Sequence, residues 1–97
     1  MVDGSFALAL ALGHLRNAAT AFLSADDPTG ESLFLAAECR DLEAWFVELG
    51  VAPALLEPAG DPLEALDAAS AALAGGGSFV PLGLWAGLQA LRAGASR

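Results

Sequence analysis

Asp61-Pro62-Leu63-Glu64-Ala65-Leu66-Asp67-Ala68-Ala69-Ser70-Ala71-Ala72-Leu73-Ala74-Gly75-Gly76-Gly77-Ser78 carries a complete set of helix start and stop signals. Asp61 can accept from the free amides of a first turn, Pro62 has its φ preset for that turn, and Glu64 stands at the capping-box position. Leu63, Leu66, Ser70 and Leu73 then recur at three- and four-residue steps, which predicts one helical stripe over residues 62 to 74. Gly75-Gly76-Gly77 ends that helix. Ser78 can cap the next one, over 79 to 94, with Pro81 tolerated in its first turn.

The same punctuation recurs upstream. Asp27-Pro28, with Glu31 near the positive end of the helix dipole, opens a segment over 29 to 49 that stops at Gly50. Its core line is Leu35, Cys39, Leu42, Phe46 and Leu49. The first segment, 5 to 24, places Leu8, Leu12, Leu15, Ala19 and Phe22 on one face and leaves Gly13, Arg16 and Thr20 as a narrow polar strip. Between the halves, Val51 to Gly60 contains Pro53, Pro58 and Gly60 and forms the longest connection, with Leu55 and Leu56 expected to tuck it down. Asn17-Ala18-Ala19-Thr20-Ala21-Phe22-Leu23 resembles Asp67-Ala68-Ala69-Ser70-Ala71-Ala72-Leu73, each just before a hairpin turn. The expected fold is all-α: a small antiparallel four-helix bundle built from two helical hairpins, one domain over residues 1–97.

Composition narrows the function classes. Apolar residues make up 56% of the chain, but 23 of them are alanine, which sits on either side of a helix surface. The net charge is −8, with Arg16, Arg40, Arg92 and Arg97 as the only cations besides the amino terminus, so a phosphate-tracking surface is missing. Nucleic acid and anionic lipid are therefore not expected partners; a basic or apolar protein surface is the better match. The start Met1-Val2-Asp3 is acidic, unlike a signal peptide, and His14, Arg16 and Asn17 interrupt the first apolar stretch. That stretch is then short of the roughly 20 apolar residues a bilayer core requires. The expectation is a cytoplasmic protein with no membrane association.

Catalysis lacks its parts. His14 is the only imidazole and has no carboxylate at helical spacing, and Cys39 is the only thiol, on the predicted apolar line where burial makes it inert. No cofactor or metal is expected. Glu38 and Asp41 lie three apart, flanked on the same helix face by Phe34 and Trp45, a stripe that combines charge with aromatic surface and suits a cationic partner. It lacks the Glu-x-x-His pairs of carboxylate-bridged metal bundles.

The last helix supplies the other candidate surface. Leu84, Leu88 and Leu91 make its core stripe, and Gly83, Gly87, Ala90 and Gly94 a second stripe that sacrifices helix propensity unless something packs close against it. Trp85 lies on the opposite flank in line with Gln89 and Arg92, an anchor beside polar company. Gly83, Trp85, Gly87, Gln89 and Arg92 are accordingly the first candidate interaction surface, ahead of Phe34, Glu38, Asp41 and Trp45. Helix three filling the glycine stripe is the competing account. Trp85-Ala86-Gly87 also matches the Trp-x-Gly tripeptide of secreted helical-hairpin proteins. Here it falls inside a predicted helix, and the chain has no tyrosine for that family's export signal, so no family is assigned.

The functional expectation is a non-enzymatic helical interaction or regulatory protein, adaptor-like and forming a homodimer. The alternative is a small-molecule binder with an apolar pocket between the helices.

Overall fold

The structure, a computed structural model, describes residues 4–25, 30–57, 60–76 and 80–96, with side chains from residue 6 onward. Four helices account for most of it: α1 (Gly4–Ser24), α2 (Glu31–Glu48), α3 (Pro62–Ala74) and α4 (Leu82–Ala95), with no strand among the described residues. The capping roles expected of Asp27, Pro28 and Ser78 fall outside the described residues. The boundaries of α3 coincide with those read from its sequence. α2 begins two residues later than expected, with Gly30 as N-cap at φ 77°. α4 begins three residues later than expected. Pro81 disfavours helical geometry at Val80, and it stands as the N-cap itself, at φ −60° and ψ 137°, rather than inside the first turn.

Two helix ends show local sequence becoming geometry. At the start of α3 the Asp61 carboxylate accepts from the Leu63 amide at 2.9 Å, with Pro62 in the first turn. At the end of α2 the Gly50 amide donates to the Val47 carbonyl at 2.9 Å and the Val51 amide to the Phe46 carbonyl at 3.2 Å. This is a Schellman closure, and it needs a left-handed residue after the C-cap, which Gly50 supplies at φ 82°. Val51, thrown back by that turn, packs against the core.

The chain direction follows from cross-contacts. Gly76, just past α3, lies against Ala7 near the start of α1, so α1 and α3 run oppositely. Trp45, Leu42 and Leu35 of α2 meet Gly83, Gly87 and Gly94 of α4 in descending order, so that pair is antiparallel too. α1 packs on α2 and α3, α4 packs on the same two, and the α4 contacts are the thinner. Ser70 and Asp67 of α3 meet Gln89 and Arg92 of α4 in opposite order, so that pair is antiparallel as well, and every neighbouring pair in the ring α1, α2, α4, α3 is therefore antiparallel. The connection after α2 must return the chain to the far end before α3 can begin. It climbs along α1: the Ala54 amide donates to the Ala9 carbonyl at 3.0 Å, and the Asn17 side-chain amide donates to the Glu57 carbonyl at 2.9 Å.

That path explains the strip of Gly13, Arg16 and Thr20. It is where the crossover lies, and Gly13 is buried beneath the Ala54 carbonyl and Leu56. Leu56 tucks the connection down as expected, whereas Leu55 is 98% exposed and does not. Leu49 and Leu63 also leave the faces assigned to them. Leu49 is the C-cap of α2, turned outward where the helix closes, and the α3 core face is Ala65, Leu66, Ala69, Ser70 and Leu73. The similarity of the two alanine tracts pairs Leu23 with Leu73, but Leu23 is half exposed and Leu73 buried, so the tracts do not occupy equivalent faces.

The core is built from Leu12, Leu15, Leu66, Leu73, Leu84, Leu88, Cys39 and Phe46, all fully buried, with alanines of α1 and α3 letting those two helices approach closely. By length and composition Phe6–Ser24 is apolar enough to cross a membrane, against the expectation drawn from His14, Arg16 and Asn17. Half of that stretch is buried inside the bundle.

Candidate functional site

The two flanks of α4 have different neighbours. Its glycine stripe faces α2, not α3: the benzo edge of the Trp45 indole lies against Gly83 where any Cβ would collide, Leu42 covers Gly87, and Leu35 lies opposite Gly94. The close packing that the glycines imply is therefore supplied within the chain, by side chains of α2. The other flank faces α3. Gln89 donates to Ser70 Oγ at 2.9 Å, and Arg92 donates to Ser70 Oγ at 3.0 Å, to Gln89 Oε1 at 2.8 Å and to Asp67 Oδ1 at 2.7 Å. Ser70 is the one buried polar residue of the described core, and these bonds satisfy it. Trp85, half-buried on the same flank, packs against the core. Trp85, Gln89 and Arg92 thus form the α3–α4 seam, a second intramolecular contact.

Part of each candidate surface meets at one place. Glu38, Asp41, Leu42 and Trp45 of α2 and Gly87, Ala90 and Leu91 of α4 line an open groove of about 300 Å³. The small residues of α4 keep its floor low, and Trp45, seated against Gly83, stands as one wall with 42% of its surface exposed. Glu38 and Asp41 make no ion pair or hydrogen bond among the described residues. Phe34 is 64% exposed one turn before Glu38 and lies outside the lining.

Glu43 is the residue the sequence reading passed over. Its side chain is only 13% exposed between α2 and α1, one oxygen 3.7 Å from Arg16 Nε and the other buried without a hydrogen-bond partner. The signal was available, since Glu43 follows Cys39 by one helical turn and so borders the apolar line. Burial pushes its carboxyl above the ordinary value of 4.5, outweighing the opposing pull of Arg40 and Arg16. A raised carboxyl in the folded state means that folding favours the protonated form. The stability this confers is complete below the ordinary carboxylate range and is lost as pH rises through the folded-state value. Glu43→Met is expected to be more stable than wild type at pH 7 by about 1 kcal/mol, with the gap narrowing as pH falls towards 4. Denaturant titrations at several pH values check it. A constant gap would mean that the carboxylate is not the cause.

Cys39 is fully buried, and desolvation, aided by Glu43 and Glu38, pushes its thiol up to about 12. A thiol reagent at pH 8 should therefore label the native protein slowly and the unfolded chain rapidly. Fast native labelling would place the thiol-bearing face of α2 in solvent. His14 is half-buried on α1, and burial lowers its pKa. No group of three or more potential metal ligands occurs among the described residues.

What remains of α4 is its outer side. Leu82, 84% exposed, Ala86 and Ala93 follow one another there at helical spacing, and the two long polar side chains of the helix, Gln89 and Arg92, are both turned away to α3. No family model, no curated protein and no solved structure matches this chain.

Proposed function

We propose that this protein is a non-enzymatic helical interaction module that pairs with a second copy of itself through the outer side of α4. The observation that carries this reading is the polarity of that helix: its solvent side is Leu82, Ala86 and Ala93, with no polar side chain, because Gln89 and Arg92 are committed to α3. A helix side that faces water normally carries polar groups, and this one carries none. Two further facts favour a second copy as the cover. In a chain of net charge −8 this side bears no carboxylate, so two copies can meet here without opposed charges, and alanine permits close helix approach. The dimer is thus assigned to the face opposite the core, rather than to Trp85, Gln89 and Arg92.

The small-molecule reading needs an enclosed apolar cavity, whereas the groove between α2 and α4 is open and rimmed by carboxylates, and the apolar one lined by Leu73, Ala74, Val80, Leu82 and Trp85 is open too. Light scattering over a wide concentration range tests self-association: the mass should approach twice that of the chain, and a monomer at the highest concentration overturns it.

A further inference from the structure

We propose that the groove between α2 and α4 is a docking site for an arginine-bearing segment of a partner protein, which would insert its guanidinium between Trp45 and the carboxylates of Glu38 and Asp41. This surface differs from the outer side of α4, and the proposal stands on different observations. The first is charge. Arg16 is paired with Glu43 and Arg92 with Asp67, while Arg40, two residues after Glu38, stands exposed on the opposite side of α2, so the chain's own described cations lie away from the groove. Glu38 and Asp41 are left on its rim without a counter-ion among the described residues. Three residues apart on α2, they are neighbours on one helix face, within reach of a single forked donor.

The second observation is shape. Gly87 and Ala90 leave a shallow apolar floor completed by Leu42 and Leu91, which suits the methylene stem of a long cationic side chain. The third is the wall. Trp45 follows Asp41 by one turn and is held against Gly83, where no side chain competes for the space, so its indole is fixed while part of it stays accessible. A planar guanidinium can stack on that ring and bond the carboxylates in the same pose, which a compact ammonium does less well. The groove's volume of about 300 Å³ accommodates one or two side chains and leaves the flanking backbone outside, the geometry of a peptide rather than an enclosed small ligand. A second copy is the wrong occupant, because it would bring a net charge of −8 to an acidic rim.

The test uses the full chain and a fluorescein-labelled peptide of alanine, leucine and arginine, with a matched peptide carrying citrulline for arginine. Fluorescence anisotropy should show saturable binding of the arginine peptide and roughly tenfold weaker binding of the citrulline peptide. Glu38→Gln/Asp41→Asn should also weaken binding roughly tenfold, while Glu57→Gln/Glu64→Gln, which removes the same charge from the crossover and α3, should stay within about twofold. Amide shifts on peptide addition should centre on 38–45 and 87–91. Equal losses in the two double variants would reduce the effect to general attraction by an acidic protein and overturn the proposal. Equal affinity for the citrulline peptide, or absence of saturation, would do the same. Light scattering on the same samples keeps the two proposals separable: the groove variants should leave the mass unchanged, and a monomeric wild type that still binds would overturn self-association alone.

Discussion

Replacing Gly13 by alanine is expected to destabilise the protein by about 2 kcal/mol, although glycine to alanine inside a helix ordinarily stabilises by roughly 1 kcal/mol. The sign reverses because of what lies over the helix. A Cβ at Gly13 would stand 2.6 Å from the Ala54 carbonyl oxygen and 2.9 Å from Leu56 Cδ1. Leu56 can rotate, but the carbonyl belongs to the crossover, whose neighbouring amide is bonded to Ala9. Room can be made only by lifting that segment off α1, with loss of the bond and of the Leu56 contact. Gly94→Ala is the natural comparison, because its nearest obstacle is Leu35 Cδ2 at 3.8 Å, an ordinary contact. That substitution should stabilise by a few tenths of a kcal/mol, less than mid-helix because the last turn frays. Thermal melts of the two variants should move in opposite directions, with Gly13→Ala lower by roughly 10 °C. If both rise, the crossover does not press on α1 as described.

The second large effect concerns association. Ala86→Glu places a carboxylate at the centre of the outer side of α4, at an exposed position where glutamate is a good helix former, so the fold should be undisturbed. In a symmetric pairing of α4 with α4 the new charges approach each other, and the dimer dissociation constant should rise at least about tenfold. Ala71→Glu, also exposed but on α3, adds the same charge elsewhere and should leave the mass unchanged. Trp85→Glu has a different expected outcome. Trp85 packs on the core, so a charge there should lower the melting temperature before it separates any subunits. Loss of dimer in Trp85→Glu with full stability, together with an intact dimer in Ala86→Glu, would return the interface to the Trp85 flank.

These outcomes divide along a physical line. The existence of four helices, the start of α3 at Asp61-Pro62, the end of α2 at Gly50 and the burial of Cys39 were legible in the sequence, because each depends on groups within a turn or two: a carboxylate reaching an amide, a ring fixing φ, a glycine free to turn left-handed, an apolar line at helical period. The same reading found the three flanks of α4 and the acidic aromatic stripe of α2. It could not say which neighbour each flank would meet. Whether the glycine stripe faces another copy, α3 or α2 depends on the order of helices around the core, and that order depends on the connection after α2 climbing α1 rather than closing as a tight turn. Only the tertiary structure decided this. It turned Gln89 and Arg92 inward to Ser70 and Asp67, spent the glycines on Trp45 and Leu42, and joined Glu38, Asp41 and Trp45 with Gly87 and Ala90 in one groove. Helical periodicity specifies directions around a single axis, and what stands in each direction is settled by packing between axes.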